Sequence, residues 1–244
     1  KGCPILAITN VVGSALARAA TGVLYTHAGP EIGVASSKTF AATVVAGYLL
    51  GLWLGRQRGA INAEEVRKRI QDLVEIPRLF EETLELDARI ADLAKHLSTH
   101  RDFLYLGRGY QYPIALEGAL KMKELSYIHA EGYAGGEMKH GPIALIADRL
   151  PVVALAPRDG SYERMLGNIE EVLARDGQII AVVHAGDRSI AAKAHHVIEV
   201  PPCADLLAPL ITVIPLQLLA YHVAVRLGCD VDQPRNLAKS VTVE

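Results

Sequence analysis

Three side chains on one stretch of this sequence have the types and the spacing to move a proton. Across residues 112–126 a helical repeat of 100° per residue puts Glu117, Lys121 and Glu124 within about 60° of one another. Leu116 and Leu120 border this charged stripe on one side, Ile114 and Leu125 on the other. One reading is a solvated Glu–Lys pair, worth roughly a few tenths of a kcal/mol. The other is a carboxylate and an ammonium lining a cleft, where Glu124 could act as acid or base.

Further candidates flank that helix. The segment from His129 to Pro142 carries His129, Glu131, Glu137, Lys139 and His140 among four glycines, and is read as a loop whose backbone could approach a ligand closely. Its His and Glu spacing matches no helix-borne metal motif. Ser36-Ser37-Lys38 opens a helix, so its free N–H groups could receive an anion or be capped by a serine. Lys239 lies in a tail without helical or alternating pattern, where a lysine taken alone is an ordinary surface residue.

These residues need elements to position them. Short apolar runs at residues 4–10, 23–25, 102–106, 152–156, 178–184 and 196–200 read as strands. Helical segments alternate with them, at residues 36–58, 112–126, 161–175 and 210–227. Continuously apolar strands alternating with helices predict a parallel sheet covered on both faces. Between the halves, residues 59–100 are the most polar part. Asn62 is expected to cap a helix running toward Ile76, with Pro77 interrupting it and one further amphipathic helix over residues 78–97.

The composition narrows the function classes. Half of the 244 residues are hydrophobic and 21% are charged, enough apolar material to exclude a disordered chain. With 25 Lys+Arg against 27 Asp+Glu, the net charge of −2 offers no basic face for nucleic acid. Cys3, Cys203 and Cys229 form no CxxC pair, which favours a reducing, cytoplasmic setting. Residues 39–55 and 206–225 carry no charge and approach the length of a membrane span. The glycines and threonines of the first and Pro209, Pro215, Gln217 and His222 of the second favour buried helices of a soluble protein, with no membrane role. The chain opens on Lys1-Gly2-Cys3-Pro4 directly before a strand, and is expected to be a fragment.

Taken in succession, the motifs carry a resemblance. Glu31-Ile32-Gly33-Val34-Ala35-Ser36-Ser37-Lys38, then Gly107-Arg108-Gly109 with Tyr112-Pro113-Ile114-Ala115-Leu116-Glu117-Gly118-Ala119-Leu120-Lys121, are followed by Lys139-His140-Gly141-Pro142 and a tail with Gln233-Pro234-Arg235-Asn236-Leu237-Ala238-Lys239. Together they resemble the isomerase half of the glutamine–fructose-6-phosphate aminotransferases. The resemblance implies an α/β fold of sugar isomerase (SIS) domains, parallel sheets flanked by helices in a flavodoxin-like three-layer arrangement. One SIS domain would be partial (residues 1–58) and one complete (101–227), with a helical connection at 59–100 and a catalytic tail at 228–244.

The same resemblance implies roles. Glu124 would shuttle a proton between the first two sugar carbons, with Lys121 as its catalytic neighbour. His140 would assist ring opening from the other subunit of a homodimer, and Lys239 would form a Schiff base with the ketose. Val34, Ser36 and Ala238 would contact the sugar phosphate, and Glu117 is placed among the substrate-binding residues. The substrates implied are fructose 6-phosphate and glutamine, the product glucosamine 6-phosphate, with no cofactor and no metal. The glutaminase domain and the Ser/Thr-rich phosphate loop of that family would lie upstream of this sequence. Alternatives within the same fold are a phosphosugar sensor without catalysis and another SIS deglycase or isomerase. A structural helical protein is the remaining one.

Overall fold

The computed structural model describes residues 2–239. They divide into two compact units, one running to Leu73 and taking in Ala238 and Lys239, the other Val74–Leu237.

The first unit holds two parallel strands, β1 (Leu6–Thr9) and β2 (Gly22–Tyr25), joined through the short helix α1 (Ala15–Ala19). Ser14 caps α1, its Oγ accepting the Ala17 N–H at 3.2 Å. Beyond β2, Asn10 pins the loop: its Oδ1 accepts from Ala28 N at 2.9 Å and Thr26 Oγ1 at 3.0 Å, and its Nδ2 donates to the Gly29 carbonyl at 2.8 Å. The loop feeds α2 (Lys38–Gln57), after which α3 (Ala63–Val74) begins at the predicted cap, with Asn62 Oδ1 accepting Glu65 N–H at 2.8 Å.

Helix α2 corrects the expectation of a buried span. Only Ala46 and Leu52 are buried along it, while Leu49, Trp53 and Leu54 stand exposed. Two strands of four residues each cannot cover the sides of a 20-residue helix. Both α2 and α8 (Ala208–Arg226) are long and apolar enough to cross a bilayer by length and composition alone. The two differ in surroundings, because α8 is a core helix with thirteen buried residues, Thr212 and Pro215 among them.

In the second unit, α4 (Ile76–Leu84) and α5 (Asp87–Leu97) replace the single helix expected over residues 78–97. Pro77 sits in the first turn of α4, where its missing N–H costs nothing. The break at residues 85–86 lets each helix turn its own apolar side inward, Ile76, Leu79 and Thr83 from one, Ile90, Ala94 and Leu97 from the other. Both pack against α8.

The sheet of this unit is entirely parallel, in the order β4-β3-β5-β6-β7. Its strands are β3 (Asp102–Gly107), β4 (His129–Ala134), β5 (Pro151–Ala156), β6 (Gln178–His184) and β7 (His196–Val200). Alternate residues face opposite layers. Leu104, Leu106, Val152 and Ala154 pack with Met165, Ile169 and Val172 of α7 (Tyr162–Leu173), whereas α6 (Gln111–Ser126) and α8 cover the other face. This is the three-layer α/β/α arrangement expected.

Strand β4 was not expected, since its sequence reads as part of a loop. It pairs with β3 over all six residues, Asp102↔His129 to Gly107↔Ala134. Gly132 makes this possible: a Cβ there would stand 2.8 Å from the backbone nitrogen of Leu116 in α6. Gly107 has the same necessity at the turn from β3 into α6, where a Cβ would meet the Gln111 carbonyl oxygen at 2.1 Å.

Candidate active site

Helix α6 is anchored by its buried side before its charged stripe is considered. Ile114, Ala115, Gly118, Ala119, Met122 and Leu125 are buried, and buried Thr212 of α8 donates its hydroxyl to Gln111 Oε1 at 2.7 Å. That leaves Glu117, Lys121 and Glu124 in a strip that is neither core nor open surface. The apolar borders differ: Ile114 and Leu125 are buried, whereas Leu116 and Leu120 are about half exposed, at 43% and 40%.

The stripe closes on itself through Lys121. Its ammonium lies 2.6 Å from Glu124 Oε2 and 3.4 Å from Glu117 Oε1, with 5% of the lysine side chain exposed. The solvated-pair reading therefore gives way to a buried cation between two carboxylates. Glu117 is the more enclosed carboxylate. Burial pushes its pKa up, Lys121 pulls it back, and the charge of Glu124 pushes it up again. Glu124 is the more open at 21% exposed, and with Oε2 on Lys121 its Oε1 takes no bond from the described residues. One oxygen is fixed and one is available, as a proton-transferring carboxylate requires.

His140 ends a 3-10 turn (Gly135–His140) on an exposed position, before Gly141 at φ 146°. Among the described residues no hydrogen bond or ion pair ties it to the α6 stripe. His129 instead pairs with Asp102 at 3.1 Å and lies 3.6 Å from Glu131, whose carboxylate also receives the Tyr133 hydroxyl. Among the described residues no group of three or more His, Cys, Asp or Glu side chains is placed to hold a metal ion.

In the first unit the start of α2 gathers a second constellation. Ser37 makes no side-chain cap bond. Glu31, five to eight residues earlier in the chain, does that work: its Oε1 accepts the N–H groups of Ser37 at 3.1 Å and Thr39 at 3.0 Å, and Ser36 Oγ donates to the same carboxylate at 3.3 Å. The anion at this helix terminus is thus the protein's own carboxylate. Lys239 completes the cluster, its ammonium 2.7 Å from Glu31 Oε2 and 3.3 Å from the Val34 carbonyl oxygen. Burial would raise the Glu31 pKa, but the bonds from Lys239, Thr39 and Ser37 prevail and hold it at about 2. The structure therefore brings Val34, Ser36 and Lys239 together around Glu31, Ala238 being the chain neighbour of Lys239, and it brings Glu117, Lys121 and Glu124 together in the other unit. Glu31 opens the 31–38 motif, where the sequence marks it only as an acid shortly before a helix start.

The family model for the SIS domain matches residues 1–52 and 96–227. The chain belongs to the SIS-domain family. Within this SIS family it is 56% identical over its whole length to a glutamine–fructose-6-phosphate aminotransferase (isomerizing) of Thermus thermophilus, and 52% identical to one of Chlorobaculum tepidum. The chain spans 40% of the length of each. Among solved SIS structures, the C-terminal domain of glucosamine-fructose-6-phosphate aminotransferase from Francisella tularensis superposes with a TM-score of 0.88 at 40% identity, over 94% of this chain and 65% of that one. A solved chain from Clostridium novyi, 20% identical with a TM-score of 0.80 over 98% of this chain and 64% of that one, shares the fold.

Proposed function

We propose that this chain is the sugar-isomerising part of a glutamine–fructose-6-phosphate aminotransferase, a cytoplasmic enzyme that makes glucosamine 6-phosphate and glutamate from fructose 6-phosphate and glutamine. The observation that carries the reading is Glu124, with one carboxylate oxygen tied to buried Lys121 and the other without a bond among the described residues. A phosphosugar sensor needs no such half-committed carboxylate.

In this reading His140 assists opening of the sugar ring, acting from the second subunit of a homodimer. The Lys239 amine adds to the C2 carbonyl and water leaves, giving an imine. Ammonia, released from glutamine by a separate glutaminase domain, displaces the lysine. The imine acidifies the adjacent C1–H; Glu124 removes that proton and returns it at C2, converting ketose to aldose. Lys121 holds and aims Glu124, Glu117 is a substrate-binding residue, and Val34, Ser36 and Ala238 contact the sugar phosphate. Residues 1–58 are the C-terminal part of a first SIS domain and 101–227 the second SIS domain, joined by 59–100 and followed by the tail at 228–244.

Borohydride reduction in the presence of fructose 6-phosphate tests the reading. A sugar adduct mapped by peptide mass spectrometry to Lys239 is the expected result. An adduct spread evenly over surface lysines, or none, would remove the imine step and with it the assignment of this site.

A further inference from the structure

The two oxygens of Glu31 have different principal partners. Oε1 is taken by the N–H groups of Ser37 and Thr39, two donors that the first turn of α2 would otherwise leave unsatisfied. Oε2 takes the Lys239 ammonium, 2.7 Å away, while the Ser36 hydroxyl lies between the two oxygens at 3.3 and 3.4 Å. Only 9% of the Glu31 side chain is exposed, so the carboxylate cannot follow the lysine; the lysine must come to it. The nearby Lys38 does not compete, because its own ammonium is bonded to the Pro30 carbonyl at 2.6 Å. The loop before Glu31 is itself held by Asn10.

We infer that Glu31 is the positioning residue for the Lys239 amine, a carboxylate fixed to the start of α2 that sets where the tail nitrogen stands before a ketose phosphate arrives. This rests on the proposed imine-forming role of Lys239. The nitrogen is held 3.3 Å from the carbonyl of Val34, a residue proposed to contact the sugar, so it waits at a fixed place beside the proposed substrate position. Glu31 acts by holding the Lys239 amine and makes no bond to the sugar in this account. Its low pKa keeps the acceptor charged throughout the physiological range.

Two measurements on the full chain separate this inference from the proposed reaction. Glu31→Gln retains an oxygen for the Ser37 and Thr39 amides and places an NH2 against the ammonium; Glu31→Asp retains the charge on a shorter arm. The first measurement needs no sugar: acetylation of Lys239 by an N-hydroxysuccinimide ester, with Lys38 as internal reference. The Lys239/Lys38 ratio should rise several-fold in the Gln variant, with partial restoration in the Asp variant and a cooperative melt in both. An unchanged ratio overturns the inference. The second measurement is borohydride trapping over a range of fructose 6-phosphate. The saturating rate should fall about tenfold in Glu31→Gln while the half-saturating concentration stays the same. A rise in half-saturation alone would make Glu31 part of sugar binding and overturn the positioning role. Absence of the adduct in the unsubstituted chain removes the role of Lys239 in the reaction, and the acetylation ratio still decides whether Glu31 holds the tail.

Discussion

Lys121 and Glu124 stand three residues apart on α6 with ammonium and carboxylate 2.6 Å from each other, and the lysine is the more deeply buried of the two. A buried ammonium is costly to desolvate, and here two carboxylates offset that cost. The charges on either side of it are therefore not independent of the lysine.

Replacing Lys121 by Met should leave Glu117 and Glu124 facing each other with no cation between them. Removing one partner of a buried pair costs about 3 kcal/mol, which for a chain of this size lowers the melting temperature by roughly 6–12 °C. Adding Glu117→Gln to Lys121→Met should recover part of the loss. A simple sum of the two single effects would mean that the carboxylates do not share the lysine.

Replacing Glu124 by Gln preserves shape and an oxygen but no longer accepts a proton. In the full-length enzyme this variant should still form the Lys239 adduct, while exchange of the sugar C1 hydrogen with solvent falls by about a thousandfold. Solvent deuterium appearing at C1 at the original rate would assign the proton transfer to another group.

Glu31 links stability to acid. Its folded pKa of about 2 lies below the ordinary 4.5, so the stability it contributes is complete above pH 4.5 and is lost as pH falls from there toward 2. Between pH 6 and pH 3 the melting temperature of the unsubstituted chain should drop about 3 °C further than that of Glu31→Gln. Parallel slopes in the two proteins would show that the carboxylate makes no such contribution.

Gly118 tests the packing beneath the charged stripe. A Cβ at this position would lie 2.6 Å from Leu216 Cδ1 and 3.0 Å from the ring of fully buried Tyr105. Overpacking of this kind costs about 2 kcal/mol, against about 1 kcal/mol gained in helix propensity. Gly118→Ala should thus lose about 1 kcal/mol in chemical denaturation by the difference of those two effects. Stabilisation would mean that Leu216 moves aside freely.

The α6 stripe was legible before any coordinates because helical periodicity converts spacing into a shared face. The same periodicity could not say which of its apolar borders would be covered, and Leu116 and Leu120 are not. Strand β4 escaped because its six residues, half of them polar or glycine, lack the apolar run that marks a buried strand; pairing with β3 on one side supplies the order. The break between α4 and α5 carries neither Gly nor Pro at 85–86, so only their shared packing against α8 explains it. Glu31 illustrates a third limit. A cap delivered from a loop has no fixed offset from its helix, and the partner of its second oxygen is at residue 239.

The first unit is written in two pieces, since its early residues are rejoined by Ala238 and Lys239 after the whole of Val74–Leu237 has intervened. During synthesis at about 5–20 residues per second, the strands of both units are available before the tail lysine has been made. Order of manufacture thus separates the socket from its occupant: a nascent chain that has not yet reached residue 239 can possess Glu31 and the α6 carboxylates while lacking the ammonium that pairs with Glu31.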